Sequence, residues 1–252
     1  MKLYGDFTKQ DWVQMFGVAE NQIPLSFVIH GEWNHDDNLK IWKQILKEEV
    51  WVPKWNTVIG KYSCTNIGFA NVFGGPMATT IVHQFGSAGT ELFIQTGYFG
   101  GLSHEIKYGD ILIVNQAEMQ DGVSHWYLPN QTIVKADENL VNAAIDYCEK
   151  KGYSYSTGSV LSTSAMLLET IEMINHWASK GHVGVDMETA TTLAIAKRFN
   201  KKAIGLLNLS DHLIQGDTLY SYTKEREKIE AETDEKIRDL ALYLATNSEK
   251  FI

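Results

Sequence analysis

Two short acidic stretches carry the most chemistry in this sequence. The first is Gly184-Val185-Asp186-Met187-Glu188-Thr189-Ala190, where a short strand gives way to a helix. Acids in a first helical turn complement the positive end of the helix dipole, so Asp186 and Glu188 have a purely structural reading. They also have a chemical one. A carboxylate has two oxygens, and each can accept a hydrogen bond from one of two neighbouring sugar hydroxyls. Glu188 fits that task, and Met187 would lay an adaptable apolar side chain beside the sugar. The second stretch is Leu209-Ser210-Asp211-His212, which ends the apolar run KAIGLLNL. An acid after a buried strand is often just a helix cap. Asp211 can instead act as a general acid that protonates a leaving group, a contribution of roughly 10²–10⁴-fold.

Two glycine-bearing segments accompany the acids. They are Phe73-Gly74-Gly75-Pro76 and Gln95-Thr96-Gly97-Tyr98-Phe99-Gly100-Gly101. Glycine at a strand end lets backbone approach a ligand closely. Ordinary α/β proteins contain such turns too.

The elements that would position these residues follow from periodicity and breakers. Residues 25–30 (LSFVIH) form a buried strand, and 40–48 a helix. The β-branched and aromatic stretch 57–73 predicts paired strands. Pro76 opens a helix over 77–86, as proline does in a first turn. Strands follow over 90–96, ended by the glycines at 97, 100 and 101, and over 110–118. Helices are predicted over 137–150 and 166–177. The last third alternates: strand 183–186, helix 188–198, strand 202–209 and a long amphipathic helix 223–245. This alternation gives an α/β fold with a central mixed, largely parallel sheet flanked by helices, and a single domain over residues 1–252. Ligands of such sheets bind beyond the carboxyl ends of strands. The turns after the strands that start near residues 25, 90, 183 and 202 therefore converge on one cleft.

Composition narrows the partners. With 252 residues, 44% of them hydrophobic, the chain can bury one large core. A net charge of -9, from 22 basic and 31 acidic residues, argues against a grip on nucleic-acid phosphates. Cys64 and Cys148 lack C-x-x-C spacing, so neither a disulfide framework nor a zinc site is expected, and both fit a reducing cytoplasm. The opening MKLYGDFTKQDW holds no secretory signal, and no apolar run reaches the ~18 residues of a membrane span. His125-Trp126-Tyr127 could stack on a base, but core packing is the favoured reading. His83 and Cys64 read as core or interface residues. The charged stretch 224–238 reads as a solvated helix face stitched by i,i+4 pairs.

Taken together and in this order, the four motifs resemble the nucleoside phosphorylase superfamily, which includes purine nucleoside phosphorylases, uridine phosphorylases and nucleosidases. The resemblance runs from about Phe27 to the final helix and implies cleavage of the N-glycosidic bond of a nucleoside, with no metal or organic cofactor. Asp186-Met187-Glu188 stands where the family carries an E-M-E stretch, and Ser210-Asp211-His212 matches the S-D-H of bacterial purine phosphorylases. By that correspondence Glu188 holds the ribose diol, Met187 packs on the sugar, and Asp211 protonates a purine. Met166 and Val185 fall in the base pocket. The family's phosphate site reads differently here. Gln95 stands in place of an arginine, Tyr98 in place of a hydroxyl donor three residues later, and both flank Gly97. The early loop Gly31-Glu32-Trp33-Asn34-His35 also lacks the family's arginine, and neither Lys224 nor Arg226 aligns securely with the one after S-D-H. A phosphate dianion needs fixed cations, so the resemblance favours water as nucleophile, with Asp36 as its base. Two alternatives remain: phosphorolysis from an atypical site, and a catalytically silent nucleoside-binding protein. The resemblance further implies a homo-oligomer, a dimer or a trimer of dimers.

Overall fold

The computed structural model describes residues 2–33, 36–52 and 57–252. Strand β1 (Ser26–Gly31) runs parallel to β4 (Thr65–Val72) on one side and β5 (Leu92–Gly101) on the other. All six β1 residues are buried. Phe27 and Ile29 enter one core cluster and Val28 the opposite one, the two-residue alternation of a strand covered on both faces. The first cluster packs under α3 (Gly74–Ala88) and α7 (Thr189–Arg198). The second packs under α2 (Asp36–Ile45), α5 (Glu138–Lys151) and α8 (Lys224–Thr246).

Part of the sheet closes on itself. β5 pairs in parallel with β10 (Lys202–Asp211), and β10 is antiparallel to β6 (Ile111–Gln120). β6 and β8 (Tyr155–Thr163) are parallel, as are β8 and β9 (His182–Asp186). β9 then returns to β5, pairing Gly100 with Val185 and Gly101 with Gly184. β3 (Thr57–Tyr62) and β2 (Lys47–Val52) extend the sheet antiparallel from β4, and β7 (Ile133–Lys135) pairs with β6. The remaining helices are α1 (Lys9–Phe16), α4 (Ser124–Tyr127) and α6 (Ile171–Ser179). The architecture is the mixed, helix-flanked α/β sheet that the alternation predicts. Among the described residues no helix is long and apolar enough to cross a membrane.

Several boundaries move for identifiable reasons. β5 does not stop at Thr96 but runs through all three glycines to Gly101. Gly97 sits at φ +141, and a Cβ there would lie 2.8 Å from the Gly31 carbonyl oxygen. The glycine therefore marks tight strand contact rather than a turn. The helix read over 40–48 begins at Asp36 and ends at Ile45, and β2 comes next. The helix read over 166–177 is a short 3-10 turn, Met166–Leu168, followed by α6, whose start is capped by the Thr170 hydroxyl accepting from the Met173 N–H. Strand β8 and helix α1 were not anticipated.

Candidate active site

A cavity of about 490 Å³ opens at the carboxyl ends of β1, β5, β9 and β10, where the convergence of strand-end turns placed it. Residues following β4 and on α8 complete its wall. Asp211, Glu188, Met187, Val185, Met166 and Tyr98 all line it. Gln95, Gly97 and Asp36 are not among its lining residues.

Glu188 is the residue before α7 and is only 6% exposed. Its Oε1 accepts a 2.6 Å hydrogen bond from the Gly74 N–H, at the first residue of α3. A helix N-terminus favours negative charge, yet burial and the Asp186 charge beside it prevail, and the carboxyl is raised to about 8. Asp186 itself points away into structure. It accepts from Ser162 Oγ at 2.5 Å and from the Thr189 N–H at 2.9 Å, so its role is to fix the β9-to-α7 turn. The short stretch thus divides its two acids between a structural task and a cavity-facing one.

Asp211 ends β10 at a register shift against β5, between Leu209 and Asp211. Such an irregularity re-aims a side chain. Ser210 Oγ lies 2.5 Å from Asp211 Oδ1 and 3.1 Å from the Phe99 carbonyl oxygen, and its single proton serves one of the two. Burial raises the Asp211 pKa, against the lowering effects of Ser210 and of the Arg226 charge. A carboxyl that keeps its proton at higher pH than usual is suited to general acid catalysis. His212 lies beneath the site, its Nε2 3.0 Å from the Ile106 carbonyl oxygen.

Arg226 departs from the solvated helix face read over 224–238. It is 5% exposed and packs against the rings of Tyr108 and Tyr222, with its guanidinium 4.9 and 4.5 Å from their centroids. Nη1 is 3.7 Å from Asp217 Oδ2, while Nε and Nη2 find no hydrogen-bond partner among the described residues. Neighbouring positions on the same helix also turn inward, with Glu230 in the cavity wall and Asp234 close behind. No sequence pattern separated these from their solvated neighbours, because the tyrosines that cover Arg226 come from distant or irregular segments.

The positions expected to meet phosphate are engaged within the protein. Gln95 is fully buried, with Oε1 accepting from Thr192 Oγ1 at 2.7 Å and Nε2 donating to the Thr96 carbonyl at 2.9 Å. The Tyr98 hydroxyl donates to Asp234 Oδ2 at 2.7 Å. Asp36 is exposed at the start of α2, whereas Glu32, four residues earlier, lines the cavity. Glu32 is held by β4: its N–H donates to the Val72 carbonyl at 2.9 Å, and its carbonyl accepts from Asn71 Nδ2 at 2.5 Å. Asn38 Nδ2 donates to Glu32 Oε2. His35 lies outside the described residues.

The cavity is lined by the acidic residues Glu32, Glu169, Asp186, Glu188, Asp211 and Glu230, of which Asp186 turns its carboxylate to Ser162 and Thr189, and among the described residues by no lysine, arginine or histidine. Burial and the Asp211 charge push Glu169 up to about 7, and burial pushes Glu230 up to about 7. The mouth carries exposed apolar side chains, including Trp33, Phe73, Leu167 and Tyr220. Elsewhere, core packing holds for Tyr127, which meets His83 at 2.9 Å, but not for Trp126, which is 79% exposed. Cys64 is exposed, while Cys148 is buried.

The sheet order and this strand-end cavity define an α/β fold with its cleft at the carboxyl ends of its strands, and the comparisons give the family. The model of the phosphorylase superfamily matches residues 38–245, and the chain belongs to that superfamily. A DeoD-type purine nucleoside phosphorylase from Clostridium beijerinckii is 30% identical over 132 residues, covering 52% of this chain and 56% of that enzyme. The chain thus spans little more than half the length of that relative. A guanosine phosphorylase from Halorubrum lacusprofundi is 22% identical, covering 65% and 68%. Uridine phosphorylase from Vibrio fischeri ES114 shares the fold, with a TM-score of 0.79 at 20% identity over 91% of this chain and 95% of that one.

Proposed function

We propose that this protein cleaves the N-glycosidic bond of a nucleoside and that water, not phosphate, is the nucleophile. One observation carries the second half: the cavity is lined by six acidic residues and, among the described residues, by no lysine, arginine or histidine. A phosphate dianion entering such a wall would lose its hydration without gaining charge-assisted bonds. A neutral water does not meet that penalty.

In this reading Glu188 accepts hydrogen bonds from the ribose diol, with Met187 against the sugar. Val185 and Met166 lie beside the base. Asp211 gives its proton to the purine ring as the bond from C1′ to nitrogen breaks. A water whose proton passes to Glu32 forms the new C1′–O bond. Glu32 replaces Asp36 as the base because Glu32 faces the cavity and Asp36 does not line it. The products are free base and free pentose, and the transition state has the character of an oxocarbenium ion. The acid wall would favour that positive charge electrostatically.

The relatives' names supply the second reading. They are phosphorylases, and a second copy of the chain could bring the missing cations. The deciding experiment assays base release from adenosine, inosine and uridine in phosphate-free buffer and then titrates phosphate. Free pentose without phosphate supports hydrolysis. Strict phosphate dependence with a pentose 1-phosphate product would establish phosphorolysis instead.

A further inference from the structure

His30 packs against Glu32, with its Nε2 3.6 Å from Glu32 Oε2. It lies on β1, one residue before Gly31, and is 8% exposed. It lines not the substrate cavity but a second chamber of about 20 Å³, together with Asn38, Trp42, Thr96, Asp234 and Arg238. That volume is enough for a single water.

The hydrogen bonds around His30 admit two tautomers. Thr96 Oγ1 lies 3.3 Å from the Ile29 carbonyl oxygen and 2.9 Å from His30 Nδ1, and its one proton serves one of the two. Where it serves the carbonyl, Nδ1 carries a proton and the hydroxyl accepts. The neutral ring then has a bare lone pair on Nε2. That atom has no hydrogen-bond partner among the described residues and lies 3.6 Å from Glu32 Oε2. A buried lone pair facing a carboxylate oxygen is unfavourable while neither bears a proton, and it becomes a hydrogen bond when one proton arrives. Deprotonation of the attacking water by Glu32 delivers that proton.

We propose that His30 is a positioning residue that draws the water proton onward from Glu32, so that ring and carboxylate hold it together during attack. This inference rests on the hydrolytic reading above. The water O–H bond breaks as the C1′–O bond forms, and the proton moves through Glu32 Oε2 to His30 Nε2. The resulting imidazolium faces Glu32 at the end of β1, and Asp234 and Arg238 of α8 across the chamber. Asp234 is tied by Tyr98 and by Asn208 Nδ2 at 2.8 Å, so its charge is held in place. Burial raises the Asp234 pKa, and the nearby imidazole charge counters that shift, as expected of a partner to a cationic ring. Tyr98 presents its ring at 83° to the imidazole, with centroids 5.6 Å apart, and Asn38 of α2 is neutral.

The test is the steady-state kinetics, in phosphate-free buffer, of the full chain and its His30→Gln variant. In the variant, kcat should drop at least about tenfold with KM within about twofold. A variant with the wild-type kcat, or one whose loss falls on KM instead, would overturn the relay while leaving hydrolysis intact. Strict phosphate dependence of the wild type would overturn the hydrolytic reading, and the relay with it. Imidazole ¹⁵N spectra of the unmodified protein give a check independent of the variant's folding: Nδ1–H with bare Nε2 is expected at pH 8, and an Nε2–H ring refutes the inference.

Discussion

Gly31 leaves the space that the Glu188 carboxylate occupies: a Cβ on Gly31 would lie 2.6 Å from Glu188 Oε2 and 2.9 Å from its Cδ. The end of β1 and the start of α7 therefore meet backbone against carboxylate, with the Gly74 N–H holding the other oxygen. Gly31→Ala should push Glu188 off its seat. The expected result is a rise of at least about tenfold in the Kd for a riboside, roughly the loss of one charge-assisted hydrogen bond. A double-mutant cycle with Glu188→Gln checks the cause. Adding Gly31→Ala to Glu188→Gln should cost little more, because residues in contact are not additive. Fully additive losses would separate Gly31 from the Glu188 site.

Glu188 should also make riboside binding depend on pH. Its pKa is raised, first by burial and then by Asp186, while a diol donates its hydrogen bonds best to the ionised form. Affinity should therefore increase as pH rises through about 8. A 2′,3′-dideoxyriboside should show no such increase, and Glu188→Gln should erase the preference for the riboside, about 1.5–3 kcal/mol in the wild type. Calorimetric titration of both ligands between pH 6 and 9 decides this. Parallel pH profiles for the two sugars would show that Glu188 does not read the diol.

Asp211→Asn should lower turnover of a purine nucleoside by at least about a hundredfold with little change in affinity. The alkaline limb of the kcat profile should report the raised Asp211 pKa, the rate falling as pH rises and the acid loses its proton. Arg226 opposes that rise electrostatically. Arg226→Met should therefore shift the alkaline limb upward. A downward shift, or an unmoved limb, would remove Arg226 from the electrostatics of the acid.

The convergence of β1, β5, β9 and β10 on one cleft was legible because apolar runs ending in glycine or acid mark strand ends directly. Glu188, Met187 and Asp211 were legible for the same reason, being local to such ends. What the pattern missed depends on contacts between distant segments. Gly97 reads as a turn, but serves a strand that passes within van der Waals distance of Gly31. Arg226 sits among charges at i,i+4 spacing, and only Tyr108 and Tyr222 reveal that it is buried. Spacing from Gly31 favoured Asp36 over Glu32, because spacing cannot show that α2 begins at Asp36 and carries that side chain to the surface.

The buried acids should leave a stability signature opposite to ordinary acid denaturation. Glu169 and Glu230 are each raised from 4.5 to about 7, chiefly by burial. Between those values the folded chain binds more protons than the unfolded one, so stability must fall as pH rises through the window. Asp186, Glu188, Asp211 and Asp234 are raised as well and act in the same direction. Asp11, Glu118 and Asp239 are lowered. Their contribution is present above the ordinary carboxylate range and lost only on further acidification, so it does not offset the decline above pH 5. The melting temperature of the ligand-free protein should therefore be higher at pH 5 than at pH 8. Glu169→Gln and Glu230→Gln mimic the protonated forms, so each should raise Tm at pH 8 more than at pH 5 and flatten the profile. Thermal melts of the three proteins across that range are the measurement. A wild-type Tm that climbs from pH 5 to pH 8 would mean that the cavity carboxylates are paired in the folded protein, for instance by cations from a second copy of the chain. That outcome would also weaken the electrostatic case against phosphate.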